Sequence, residues 1–174
     1  DGMSDALVQM IKDRKAVIGI VGLGYVGLPL LMEFSRGGFA VIGFDTDAEK
    51  ARKLKRGESY IRHIDAARIR EVFQPESPAS ARAEATADFA RARECDAILI
   101  CVPTPLTEHR DPDLSYIEAT GRSLGPHVRK GQLIVPLAVL MDPQARQSRG
   151  KIKQADRARL IPGRVRNQKP AVGD

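Results

Sequence analysis

An apolar, β-branched run, Ala16-Val17-Ile18-Gly19-Ile20-Val21, stops abruptly at Gly22-Leu23-Gly24-Tyr25-Val26-Gly27, and that junction narrows the possible folds more than any other stretch of the chain. A strand that is apolar at every position is one buried on both faces, as in a parallel sheet covered by helices on each side. After the glycines, Tyr25 to Ser35 places Val26, Leu30, Leu31 and Phe34 at helical spacing, with Pro29 tolerated because it falls near the first turn. Strand, glycine turn and helix in that order form a dinucleotide-binding fingerprint in which each glycine has its own task. Gly22 makes the tight turn, Gly24 lets the backbone approach a pyrophosphate, and Gly27 permits close packing of helix on strand, while the helix N-terminus offers N–H groups to the anion.

Alternation continues along the chain. Gly37 and Gly38 end the first helix, Phe39 to Phe44 reads as a second strand, and Ala48 to Arg56 as a charged surface helix closed by Gly57. Ile64 to Phe73 looks helical, and Pro75 to Ala81 reads as a loop before a short third strand near Glu84 to Thr86. Asp88 is placed to cap a helix over Phe89 to Glu94, followed by the second fully apolar strand, Ala97 to Val102, which Pro103 and Pro105 are expected to terminate. A polar loop leads to a helix at Ser115 to Leu124, and Gln132 to Val135 begins a fifth strand. The pattern predicts an α/β fold, a Rossmann-like doubly wound parallel sheet with right-handed crossovers, incomplete at its C-terminal edge. The expected organisation is a helical lead-in over 1–15, the dinucleotide-binding domain over 16–135, and a disordered basic tail over 136–174.

Asp45 lies at the end of the second strand, where a carboxylate accepts hydrogen bonds from the adenosine ribose hydroxyls, and with Asp47 it opposes a 2′-phosphate. The expected cofactor is therefore NAD rather than NADP. The net charge of +6 does not argue for nucleic acid, because residues 136–174 hold nine Lys or Arg against three Asp and the remainder of the chain is balanced. The tail has no aromatic residue for base stacking, and no helix-turn-helix or zinc-finger pattern is present. No apolar run approaches the roughly 20 residues of a membrane-spanning helix, and no secretory signal is evident, so a cytoplasmic protein with no membrane partner is expected. Cys95 and Cys101 flank a strand that holds them too far apart to bridge, and with three scattered histidines they give no metal-ligand spacing.

Residues 16–135 also resemble the N-terminal domain of the UDP-glucose/GDP-mannose dehydrogenase family. The resemblance rests on Val21-Gly22-Leu23-Gly24-Tyr25-Val26-Gly27-Leu28-Pro29, on Gly43-Phe44-Asp45-Thr46-Asp47 with Lys50, on Gly57-Glu58-Ser59, and on the long run from Ile100 through Val102-Pro103-Thr104-Pro105 to Tyr116. That last run is similar to the version in UDP-N-acetylhexosamine 6-dehydrogenases. The resemblance implies that Gly22, Leu23, Gly24, Tyr25, Val26 and Gly27 wrap the pyrophosphate, that Asp45, Thr46 and Lys50 hold the adenosine ribose, and that Val102, Pro103 and Thr104 lie against the cofactor at the topological switch point. It further implies two NAD-dependent oxidations of a sugar C6 alcohol to a carboxylate through a thiohemiacetal on a cysteine. That cysteine belongs to a later motif that neither Cys95 nor Cys101 matches, so no catalytic residue is expected here, and Cys101 reads as core packing.

After Val135 the family continues into a Glu-Ser-Thr-Thr segment, whereas this chain reads Pro136-Leu137-Ala138-Val139. Pro136 removes a ladder donor, so the fifth strand is expected to stop at Val135 and fray, leaving an exposed apolar edge. Two readings follow. In the first, the chain is the NAD-binding part of a nucleotide-sugar dehydrogenase, inactive alone, with a UDP-sugar as substrate only in the complete enzyme. In the second, it is an orphan or regulatory NAD-binding module whose tail touches an acidic surface or nucleic acid. The sugar and the oligomeric state are open at this stage.

Overall fold

The computed structural model describes residues 2–74, 83–105, 113–137 and 139–141. In chain order the elements are α1 (Gly2–Lys12), β1 (Val17–Val21), α2 (Gly27–Arg36), β2 (Ala40–Phe44), α3 (Ala48–Lys55), α4 (Ala66–Phe73), β3 (Ala83–Thr86), a 3₁₀ segment (Phe89–Glu94), β4 (Ala97–Ile100), β5 (Pro103–Pro105), α5 (Ser115–Leu124), a 3₁₀ turn (Gly125–His127), β6 (Leu133–Pro136) and β7 (Val139–Met141). Five strands form one parallel sheet in the order β3-β2-β1-β4-β6. The order reverses between β1 and β4, which places a crevice beyond their carboxyl ends, directly after Val21.

The two faces of the sheet are covered separately, and strand alternation decides which side chain serves which face. Ile18 and Ile20 point into one layer with Leu28, Leu31 and Met32 of α2, Leu54 of α3, and Ile69 and Val72 of α4. Val21, Phe44, Ile98 and Ile100 point into the other, under Ala92 and Phe89 of the 3₁₀ segment and Leu124 of α5. Each fully buried large apolar side chain stabilises the fold by about 1.5–3 kcal/mol, so β1, through Ile18, Ile20 and Val21, and β2, through Val41, Ile42 and Phe44, anchor the centre of the sheet. The Asp88 side chain accepts from the Ala90 N–H and caps the 3₁₀ segment as its position predicts.

Two sequence expectations are corrected here. The prolines after β4 do not simply end a strand: Pro103–Pro105 forms β5, which pairs in parallel with Val139–Met141 in a second, two-stranded sheet. Nor does the fifth strand stop at Val135. It runs through Pro136 because the N–H groups of Leu133 and Leu137 donate to the Asp96 and Ile100 carbonyls at and just before β4, which turns the proline nitrogen toward the opposite edge, where no described strand pairs. The expected exposed apolar edge is present on this strand, with Leu133 and Ile134 both exposed. The loop expected over Pro75 to Ala81 and most of the basic tail lie outside the described residues.

Candidate dinucleotide site

A cleft of about 360 Å³ opens at the carboxyl ends of β1 and β2. Val21, Phe44, Phe89 and Val102 give it apolar walls, Asp45, Thr46 and Lys50 form a polar rim, and Tyr116, Ala119, Thr120 and Ser123 close it from α5. Gly22 and Pro103 also line it.

The glycine loop at its mouth is built by sterics. Gly22 has φ +91°, a region L side chains rarely adopt, and a Cβ there would meet the Cys101 carbonyl oxygen at 2.9 Å. At Gly27 a Cβ would collide with the carbonyl oxygen of Gly22, so the third glycine serves the loop's own closure as much as helix packing. Gly24 differs: nothing lies within 4 Å of a Cβ built on it, which leaves open space against bare backbone. Helix α2 starts from Val26 with no side-chain cap. An uncapped helix start beside an open glycine is the chemistry an anionic pyrophosphate requires, so the residues present fit a dinucleotide.

Asp45 ties this loop to the second strand. Its buried carboxylate accepts from the Leu23 N–H (2.9 Å), from the Asp47 N–H (3.0 Å) and from the Lys50 ammonium (2.9 Å). The Asp45–Lys50 pair is the least exposed cation–carboxylate contact on the rim, with Lys50 carried on α3, whose start the Asp47 side chain caps. Of the residues singled out by sequence, Gly22, Asp45, Thr46, Lys50, Val102 and Pro103 line the cleft together. Leu23 is wholly buried and takes part through its backbone, while the Tyr25 and Val26 side chains are exposed outside it. Tyr25 instead borders a smaller cavity with Pro29, Met32 and His63. Thr104 is wholly buried in β5 and does not line the cleft, whereas its neighbour Pro103 does.

Sequence reasoning missed Tyr60. Its phenol donates to the Leu23 carbonyl at 2.7 Å, and burial, followed by the nearby Asp45 and Asp47 carboxylates, pushes its pKa well above the ordinary phenol range. Nothing local marks this residue; only its neighbourhood to the matched Gly57-Glu58-Ser59 turn pointed toward the segment. The two thiols are unsuited to nucleophilic work: burial pushes Cys95 up to about 12 and Cys101 up to about 11, and both are free and buried.

The model of the UDP-glucose/GDP-mannose dehydrogenase family, NAD binding domain, matches residues 16–156. The chain belongs to this family. As an NAD-binding domain of the nucleotide-sugar dehydrogenases it is 32% identical over 125 residues to UDP-N-acetyl-D-glucosamine 6-dehydrogenase of Pseudomonas aeruginosa, covering 72% of this chain and 27% of that protein. It is 33% identical to UDP-N-acetyl-D-mannosamine dehydrogenase of Escherichia coli strain K12, covering 69% of this chain and again 27% of the relative. A ternary complex of GDP-mannose dehydrogenase from Pseudomonas aeruginosa superposes with a TM-score of 0.61 at 32% identity, over 70% of this chain and 28% of that one. The family match continues past Val135, and the chain spans about a quarter of the length of these relatives.

Proposed function

We propose that the cleft holds NAD with its adenosine ribose at Asp45 and Lys50 and its pyrophosphate over Gly24. We propose further that the chain serves as the NAD-binding domain of a cytoplasmic enzyme that, when complete, oxidises the C6 alcohol of a UDP-N-acetylhexosamine. The observation that carries the reading is the hydrogen bond from the Leu23 N–H to the Asp45 carboxylate, which, beside that from the Gly22 N–H to the Phe44 carbonyl, joins the open glycine loop to the acidic end of β2. NAD supplies a hydride acceptor when bound; the residues here bind and orient it. Val21, Phe44, Phe89 and Val102 exclude water from one side of the cleft, Asp45 accepts from ribose hydroxyls, and Asp47, two residues on, adds a second carboxylate against a 2′-phosphate. The relatives' names support the N-acetylhexosamine class, and the buried Cys95 and Cys101 support a requirement for residues other than these two cysteines in turnover.

Calorimetric titration of the 174-residue chain tests the cofactor. NAD is expected to bind more tightly than NADP, and Asp45→Asn to weaken NAD by about 1–3 kcal/mol through lost acceptor capacity. Equal or tighter binding of NADP overturns the reading. The chain alone is expected not to reduce NAD when given UDP-N-acetylglucosamine.

A further inference from the structure

Resting on the dinucleotide reading above, we infer that Tyr60 is a positioning residue for the cofactor, acting by clamping the peptide of Leu23 so that the glycine loop is held in its binding shape before NAD arrives. The Leu23 side chain is fully buried, its N–H donates to Asp45, and its carbonyl accepts from the Tyr60 hydroxyl at 2.7 Å. Leu23 is therefore held at its side chain and through both flanking peptide units, Asp45 fixing the one shared with Gly22 and Tyr60 the one shared with Gly24, beside which space is open. A glycine-rich loop has more backbone freedom to lose than any other. A loop already ordered loses less on binding, which is the source of affinity from preorganisation.

The crossover that carries Tyr60 is itself fixed. Gly57 turns the chain at φ +72°, the Ser59 hydroxyl donates to the Ile61 carbonyl and accepts from its N–H, and Ile61 is buried in the core. The Tyr60 ring packs partly buried against that same core. Its hydroxyl thus reaches the loop from a segment remote in sequence and firmly seated. The phenol also faces Asp45 and Asp47, and their charges with burial keep it protonated as a donor throughout the physiological range.

The test is Tyr60→Phe in the full chain, which keeps the ring that packs on the core and removes only the donor. NAD affinity is expected to fall about threefold to tenfold, the scale of one net hydrogen bond. Binding of adenosine, which has no pyrophosphate, is expected to stay within about twofold when followed by NMR. In the unliganded chain the amide resonances of Leu23 and Gly24 are expected to shift, a readout that needs no cofactor. Unchanged NAD affinity in a folded Tyr60→Phe chain overturns the inference, as do equal losses for NAD and adenosine, or Leu23 and Gly24 amides that do not move. If the unsubstituted chain itself fails to bind NAD, the dinucleotide reading falls first, and the inference with it.

Discussion

The three loop glycines share a motif yet answer to different forces, and substitutions separate them. Gly24→Val is expected to abolish NAD binding while leaving the fold intact, since nothing lies within 4 Å of the added carbon but the space a pyrophosphate would take. Gly27→Ala is expected to destabilise the chain by about 1–3 kcal/mol or more, because the new methyl collides with the Gly22 carbonyl and the strand below cannot give way. Thermal melts and calorimetry on the two variants check both, and a destabilised Gly24→Val or a fully stable Gly27→Ala contradicts this division. At the thiols, a folded pKa raised from the ordinary 9.0 to about 12 for Cys95 and about 11 for Cys101 has a definite sign. The unfolded chain loses these protons first, so stability is complete below about pH 9 and declines as the pH rises toward 11 to 12. Melting curves across that window are expected to fall, and iodoacetamide at pH 8 to leave both thiols unmodified in the folded chain.

Elements were legible where hydrophobic periodicity was strong. Helix α5 begins and ends at the predicted residues, and β1, β2 and β4 appear within one or two residues of expectation. Strands β5 and β7 were not legible, since each has three residues, one carries two prolines, and neither has meaning without the other. At the far edge of the sheet, β6 is held by a polar clasp that no periodicity announces. The Arg129 guanidinium donates to the Arg93 and Cys95 carbonyls and to Asp96, while the Gln132 amide donates to the Ala92 and Cys95 carbonyls. Gln132→Ala is therefore expected to cost about 0.5–1.5 kcal/mol, the scale of a net hydrogen bond, since the Ala92 and Cys95 carbonyls each keep another donor, the Cys95 N–H and Arg129. In hydrogen exchange, Val17 to Val21 and Ile98 to Ile100 should exchange slowly and β6 faster, and the variant should accelerate β6 in particular. Equal protection of β6 and β1 would show that the clasp and edge position do not govern local opening.

At the scale of the whole molecule, ligand binding and folding are linked, because the site is made from the ends of the sheet and from the loop that the core pins. NAD at about one hundred times its Kd is expected to stabilise the chain by about 2.7 kcal/mol, raising the melting temperature by roughly 5–10 °C; no rise with millimolar NAD would contradict the site. What the sequence alone determined was local and periodic: a β1 apolar at every position, three glycines at fixed spacing, an acid at the end of β2 and, through those residues, the family. Such signals survive in one dimension because strand burial, turn sterics and helix spacing act between near neighbours. Tertiary structure decided the rest. It buried Thr104 in β5, turned the Pro136 nitrogen away from β4, brought Lys50 onto Asp45 and set the Tyr60 hydroxyl on the Leu23 carbonyl, thirty-seven residues away in sequence. These outcomes depend on which groups meet across crossovers, and that is fixed by packing of the two layers on the sheet rather than by any residue's own preference.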